Sequence, residues 1–362
     1  MRLCFLVEEQ YRHDGMPLEV IHQLRAWGHQ ADVVWPGRSL IRISEAIQAG
    51  SHDAWVLKTV SGGPGLTLLE AAASVGLTTV NDVRAIRGVR DKALAAVIAR
   101  SKGLPVPVTY AAARPEEFAE IAEAEFPLVV KPADGSSGRA VRLVATPDRL
   151  LDPVDAVEPG GAAGPDGAGG GLLIAQPYVP NSGTDLKVYS VAGELYATER
   201  CSPLHPAHAV RERQVPLTAE VARITAEIGD VFGLDLYGVD ILLGPDGPVV
   251  VDINDFPSFR QVPDAVARVS AAVLDLARRG TRAREASVRE AVREAFTGEP
   301  VREAGREPEP VSVLEPEPVS VLEPEPEPSS KPVPVAGLPT PPFAVPSVAR
   351  TNWPAASMGG GR

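Results

Sequence analysis

Asp240, Asp252 and Asn254 offer three oxygen donors and no soft ones, the donor chemistry that holds Mg²⁺ against nucleotide phosphates. Asp240 lies in Tyr237-Gly238-Val239-Asp240-Ile241-Leu242-Leu243, and the other two in Pro248-Val249-Val250-Val251-Asp252-Ile253-Asn254. Between these β-branched runs stands Gly244-Pro245-Asp246-Gly247, a turn signal that predicts a hairpin and would bring the three side chains together. The aspartates equally suit a plainer place, at strand ends beside turns. On this triplet alone the two readings weigh the same.

A second grouping adds phosphate chemistry. The strand-like run 126–130 ends in Lys131-Pro132, then comes Ala133-Asp134-Gly135-Ser136-Ser137-Gly138-Arg139-Ala140, then a second run, Val141-Arg142-Leu143-Val144. A Gly/Ser loop between strands can turn successive amides toward phosphate oxygens, and a lysine at the strand end supplies a compact positive charge. A surface hairpin turn has the same composition. The chain carries no Gly-x-x-x-x-Gly-Lys-Ser/Thr, so it is not a P-loop protein.

Taken in order, Asp91-Lys92, Lys131 with its loop, Gln176-Pro177-Tyr178, Asp185-Leu186-Lys187, Arg200, Asp240 and Asp252-Ile253-Asn254 resemble the ATP-grasp superfamily. The likeness runs collinearly over residues 80–280. Within the superfamily the chain resembles the RimK-type glutamate-adding ligases, and also the inositol-phosphate kinases of the same fold. The resemblance implies an ATP-grasp fold of two α+β sub-domains, preceded by a small parallel α/β domain. It implies that Lys92 and Lys131 neutralise the phosphates of ATP, beneath a flap of Gly135, Ser136, Ser137 and Gly138. Gln176, Pro177, Tyr178 and Val179 become the hinge that reads adenine through main-chain groups, and Asp185 accepts from the ribose hydroxyls. Asp240, Asp252 and Asn254 hold Mg²⁺, with Asp252 bridging two ions and Mn²⁺ an acceptable substitute. Arg200, with Lys187 as the second catalytic cation, stabilises the transferred phosphoryl group.

Three positions depart from the RimK pattern. Pro177 stands where Glu is common, and proline removes an amide, so the adenine contact must use a neighbour. Lys187 stands where Arg is common, an exchange that is not neutral at a bidentate site. Asp252 replaces Glu. The kinases match better at Lys187-Val188-Tyr189 and at Asp252-Ile253-Asn254-Asp255-Phe256-Pro257. The resemblance therefore implies an ATP- and Mg²⁺-dependent carboxylate–amine ligase working through an acyl phosphate. The alternative is a small-molecule kinase, in which a hydroxyl attacks instead and the reaction stops after one step. The kinase would need a dense basic cradle, to which Lys187, Arg200, Arg211, Arg213 and Arg260 could contribute. The acidic body speaks against so anionic a substrate, and the ligase is the reading adopted.

The elements that must position these residues follow from periodicity. Strands at 3–7, 31–35, 54–58 and 77–80 alternate with helices at 17–27 and 66–75, which predicts a parallel α/β domain over residues 1–90. Arg12, His13 and Lys58 lie near its strand ends as candidate substrate contacts, with plain surface charge the more ordinary reading of each. Residues 91–180 would form the smaller, flap-bearing sub-domain, entered by a helix at 91–102 that Gly103-Leu104-Pro105 stops. Residues 181–297 would form the larger one, with helices at 219–232 and 262–279 and a further amphipathic stretch at 285–296. The insertion Pro159-Gly160-Gly161-Ala162-Ala163-Gly164 lacks the strand and helix that a dinucleotide fingerprint needs, and reads as a flexible loop.

Composition fits this plan. The chain has 362 residues, 44% of them hydrophobic, enough for two or three cored sub-domains. Its net charge is −12. The segment from residue 301 holds eight Glu against five Lys or Arg, so most of the negative charge lies in the body, and nucleic acid is a poor partner. The expected partners are a carboxylate, small or peptidic, and an amine, with a homo-oligomer possible and no membrane. Glu8-Glu9 cuts short the apolar start, which reads as a first strand of a cytoplasmic protein rather than a leader. Cys4 and Cys201 form no motif and are expected to be buried free thiols; His205 and His208 read as solvated. From residue 298 the composition changes. Glu-Pro-Glu-Pro-Val-Ser-Val-Leu occurs at 307–314 and again at 315–322, and fourteen of the 36 prolines follow residue 300. Residues 298–362 are therefore expected to be a disordered, polyproline-like tail, a spacer or a tether for a partner.

Overall fold

In the computed structural model, residues 1–297 are described apart from 12, 14, 39, 49, 59–62, 135–139, 153–170, 203 and 205–211. The expected flap, Arg12, Arg211, His205 and His208, most of the Gly/Ala/Pro insertion and the tail thus lie outside the described residues.

The first ninety residues alternate strand and helix as expected, with two further helices, Ile43–Ala46 and Val83–Arg90, that their pattern does not predict. They run β1 (Arg2–Val7), α1 (Gly15–Ala26), β2 (Gln30–Val34), α2 (Ile43–Ala46), β3 (Ala54–Lys58), α3 (Gly65–Ser74), β4 (Thr78–Val80) and α4 (Val83–Arg90). The four strands form a parallel sheet in the order β2-β1-β3-β4. β1 is buried on both faces, as parallel strands between helical layers are. Leu3, Phe5 and Val7 face one core with Val20, Ile21 and Leu24. Cys4 and Leu6 face another with Leu69, Ala72 and Ile86.

Next come α5 (Lys92–Ser101), β5 (Tyr110–Ala112), β6 (Leu128–Pro132), β7 (Arg142–Val144) and β8 (Leu173–Pro177). The four strands make an antiparallel sheet in the order β5-β8-β6-β7. Asp91 caps α5, its carboxylate accepting from the amides of Ala93 and Leu94, which satisfies two of the helix's orphan donors and fixes Lys92 at the first turn. The Lys92 amide donates to the Ala133 carbonyl at 2.8 Å, so the start of α5 is tied to the end of β6.

The third sheet orders β11-β10-β9-β12-β13, from β9 (Thr184–Val191), β10 (Glu194–Cys201), β11 (Arg213–Val215), β12 (Leu236–Gly244) and β13 (Gly247–Asp255). Between β11 and β12 lies α6 (Ala219–Phe232), capped by Thr218 and closed by Gly233 in the left-handed region at φ 72°, a conformation glycine adopts without steric cost.

The chain's last described element corrects an expectation. The helix expected at 262–279 and the separate amphipathic stretch at 285–296 belong to one helix, α7 (Ala265–Thr297). No proline interrupts it, and Gly280 does not stop it. A Cβ at Gly280 would collide with the Thr78 side chain, so the glycine lets α7 seat directly on β4. Its apolar face, Val269, Val273 and Ala277, closes the first core over β1. Among the described residues no helix is long and apolar enough to cross a membrane.

Candidate active site

The predicted hairpin forms, with Pro245 and Asp246 as its loop and Gly244 paired to Gly247. Asp240 stands directly opposite Asp252, and Gly238 opposite Asn254. One detail was not legible. The register shifts between Asp240 and Ile241, which pairs with Val250, leaving Val251 as the extra residue of a β-bulge. Bulges release main-chain groups from the ladder, and here the Val251 carbonyl accepts from Lys131 Nζ at 3.0 Å.

The ladder lines up more than the three expected metal ligands. Thr198 on β10 pairs with Lys187 on β9, and Lys187 with Asp240 on β12. Thr198, Lys187, Asp240 and Asp252 therefore form one rung across four strands, on one face of the sheet. Two residues along, Arg200 faces Asp185. Two residues the other way, Tyr196, Tyr189, Gly238 and Asn254 make a parallel rung. The absence of a side chain at Gly238 matters, because a Cβ there would lie 3.0 Å from Lys187 Cε and 3.1 Å from Pro257 Cγ.

Charges on this face are interlocked. Lys187 Nζ lies 2.6 Å from Asp240 Oδ1, and Arg200 Nη2 lies 3.2 Å from Asp240 Oδ2. Arg200 Nε donates to Asp185 Oδ1 at 2.6 Å. Across the cleft, Lys92 Nζ reaches Asp252 Oδ1 at 2.5 Å. Burial works to raise the Asp240 pKa, but Lys187 and Arg200 overcome it and hold this carboxyl below its ordinary range. Asp185 goes the other way, raised by burial despite its bond to Arg200. Lys131 is pushed down to about 8, chiefly by burial and further by Lys92, with Asp252 and Asp240 opposing.

The donor set fits a hard divalent cation. Asp240 Oδ1 has its ion-pair contact with Lys187 but no aligned hydrogen bond, and the Asn254 side-chain amide nitrogen is likewise buried without a partner. An amide can be turned to present its oxygen, so both buried groups have capacity to spare for a ligand. The set is two carboxylates and one amide; among the described residues no three of His, Cys, Asp and Glu converge.

The other expected site residues are placed as follows. Gln176 and Pro177 end β8, with Gln176 Nε2 donating to Thr109 Oγ1 at 2.9 Å. The Tyr178 amide donates to the Pro127 carbonyl at 2.8 Å, and the Val179 carbonyl accepts from Asn181 Nδ2. A small cavity lined by Ala95, Ala99, Lys131, Gln176 and Asp252 separates α5 from β13. Lys58 is not surface charge. It is buried, donates to the Phe256 carbonyl at 2.7 Å and lies over the Tyr11 ring. His13 is exposed. Cys4 is a buried free thiol with its pKa raised to about 12 by burial, whereas Cys201, expected to be buried, is only half-buried. Thr198 was not anticipated; its hydroxyl is buried without a hydrogen-bond partner, and the period-two spacing of Tyr196, Thr198 and Arg200 was the available signal.

Comparison with known proteins agrees with this geometry. The chain is similar to a protein of Methanococcoides burtonii named as a probable alpha-L-glutamate ligase, 26% identical over 282 residues that span 74% of this chain and 86% of the relative. A Thioalkalivibrio sulfidiphilus protein of the same name is 27% identical, over 67% of this chain and 83% of its own length. Among solved structures, a RimK domain ATP-grasp protein of Sphaerobacter thermophilus shares the fold with a TM-score of 0.60, 23% identity and coverage of 76% of this chain and 99% of its own. The D-alanine–D-alanine ligase of Bacillus anthracis superposes with a TM-score of 0.58 at 17% identity, over 79% of this chain and 99% of that one. The model of the RimK-like ATP-grasp domain matches residues 89–273. That match takes in half of the chain and every site residue placed above from Lys92 to Asn254, and the chain belongs to the RimK-like ATP-grasp family of ligases.

Proposed function

We propose that this chain, an ATP-dependent carboxylate–amine ligase, activates a carboxylate as an acyl phosphate and passes it to an amine, with glutamate as one of the two substrates. The observation that carries the reading is the rung Lys187–Asp240–Asp252 facing Lys92 and Lys131. Three carboxylates there meet four cations, a balance that favours a polyanionic nucleotide once a divalent ion covers the aspartates. The glutamate assignment is supported by the names of the relatives.

Lys92 and Lys131 would neutralise the phosphates of ATP. Asp240, Asp252 and Asn254 would hold a divalent ion, Mg²⁺ or Mn²⁺, which would supply Lewis-acid polarisation of the phosphoryl oxygens, and Asp252 would also serve if a second ion is bound. A carboxylate oxygen attacks the γ-phosphorus, the bond to the β-phosphate oxygen breaks, and ADP leaves. The amine nitrogen then attacks the acyl carbon, inorganic phosphate departs, and the nitrogen loses a proton. Lys187 and Arg200, which the sheet already holds beside Asp240, would stabilise the charge on the migrating phosphoryl group by sharing their present ion pairs with it. The flap role that the resemblance gives to residues 135–138, which lie outside the described residues, would be to keep water from the acyl phosphate. Pro177 has no amide and that of Tyr178 serves Pro127, so the adenine contact is assigned to Val179. Asp185 would reach a ribose only by sharing its bond to Arg200. A reaction that consumes ATP and a free amino acid suits the cytoplasm.

The kinase alternative is not favoured. The relatives carry ligase names, and Arg213, offered for a phosphate cradle, is exposed and paired with Glu199 at 2.8 Å. The test is incubation with Mg·ATP, glutamate and hydroxylamine, read by mass spectrometry. A hydroxamate formed together with ADP supports the ligase and identifies the activated carboxylate. A phosphorylated alcohol without hydroxamate would overturn it.

A further inference from the structure

Resting on the ligase reading, we propose that Arg90 is a positioning residue, whose buried pair with Asp255 sets where Asp252 and Asn254 stand relative to Lys92. In the string Asp252-Ile253-Asn254-Asp255 the last carboxylate reads as another oxygen donor. The strand's alternation excludes it from that role, because Asp252 and Asn254 share a face and Asp255 points to the opposite one. There Asp255 Oδ2 meets Arg90 Nη2 at 3.0 Å, with the two side chains only 9% and 7% exposed.

Arg90 is the last residue of α4, and Lys92 the first of α5. The α4–α5 junction therefore grips β13 twice, Lys92 holding Asp252 on the reacting face and Arg90 holding Asp255 on the other. β13 is the edge strand of its sheet, and an edge has no neighbour on one side to fix its position. What borders that edge comes from elsewhere in the chain. The Pro105 carbonyl accepts from the Val250 amide at 2.8 Å, and Lys131 takes the Val251 carbonyl.

Past the strand the grip continues. Phe256 holds φ at +46°, a conformation that a bulky side chain rarely adopts. Its ring is buried in the first core, its amide donates to the Leu236 carbonyl and its carbonyl accepts from Lys58. Asn254 thus sits between a strand pinned by Lys92 and Lys131 and a turn pinned by Arg90 and Lys58. Arg90 is bound to a side chain that faces away from the reaction. Its guanidinium is planar and directional, so it fixes an orientation as well as a charge balance.

The test separates positioning from packing. Arg90→Met, Asp255→Leu, the double variant and Asp255→Asn are compared with wild type in melting temperature, in Mn²⁺ affinity by electron paramagnetic resonance with a non-hydrolysable ATP analogue, and in kcat and KM. Positioning predicts that the double variant regains the wild-type melting temperature, while Mn²⁺ affinity stays about 10- to 100-fold weaker and kcat falls with it. Arg90→Lys should recover part of both. Should the double variant or Asp255→Asn fold and match wild type in Mn²⁺ affinity and kcat, Arg90 only fills space and the proposal is overturned. If wild type itself takes up no Mn²⁺ with the nucleotide, the ligase reading fails first and the positioning role goes with it.

Discussion

Lys187 and Asp240 are neighbours on one rung of the sheet, and Lys187 Nζ lies 2.6 Å from Asp240 Oδ1 while Arg200 takes the other oxygen at 3.2 Å. A carboxylate shared by two cations in a buried setting is held ionised, as its lowered pKa records. The divalent ion proposed for this site would therefore meet a carboxylate that is already ionised at neutral pH.

Asp252, the carboxylate opposite it that is proposed to hold the metal, gives the first prediction. Asp252→Asn keeps the shape but removes the charge that faces Lys92, so turnover should fall by at least about 100-fold. The melting temperature should move little, because the side chain remains partly exposed. Steady-state kinetics beside a thermal melt checks both, and retained activity would remove Asp252 from the metal site.

Gly238 is predicted to be intolerant for a reason of space. Alanine there would press on Lys187 Cε at 3.0 Å and Pro257 Cγ at 3.1 Å, at a cost of about 1–3 kcal/mol. The displaced ammonium should lower kcat more than it raises the KM for ATP. Serine should behave no better than alanine; wild-type kinetics in either variant would mean that Lys187 has room to move.

Lys131 carries a pH signature. Its folded pKa of about 8 lies below its ordinary 10.5, so between these values the unfolded chain binds a proton that the folded chain has released. Stability should therefore rise as pH climbs from 8 to 10.5, by at most on the order of 3 kcal/mol. Lys131→Met should remove this increment from the urea-denaturation profile. Nucleotide affinity should run the opposite way, weakening above pH 8 as the ammonium is lost, which isothermal calorimetry would detect.

Arg200 supports Asp185 as well as Asp240. Arg200→Ala would leave Asp185, which is buried, without its partner at a cost of about 3–5 kcal/mol. The pairing of Arg200 with Asp185 suggests a repair, since Arg200→Ala with Asp185→Asn should recover stability but not turnover. Recovery of both would deny Arg200 any part in the chemistry.

Much of this site was legible because it rests on short-range signals. The turn at 244–247 and its flanking β-branched runs predict the hairpin that sets Asp240 against Asp252. Strand β3 and helix α6 fall at their expected limits, α6 because Thr218 and Gly233 cap it. What escaped is long-range. Nothing local links Arg90 with Asp255 or Lys58 with Phe256, contacts that cross 165 and 198 residues. The bulge at Val251 also escaped, since a valine run gives no sign of where its ladder slips. Helix α4 was missed because Ala85, Ile86 and Val89 make only a short apolar stripe among three arginines, and its Asp82 cap looks like any turn aspartate.

The first core joins β1 and α1 to Val269, Val273 and Ala277 of α7, and this has a consequence for how the protein is made. On the ribosome the N-terminal sheet emerges early, yet the face that α1 shares with α7 stays only partly covered until residue 277 has left the exit tunnel. At about 5–20 residues per second that is an interval of many seconds. The sheet's opposite face, closed by α3 and α4, is complete long before. The nascent chain thus passes through a half-covered state whose apolar side is a natural target for chaperones until α7 arrives.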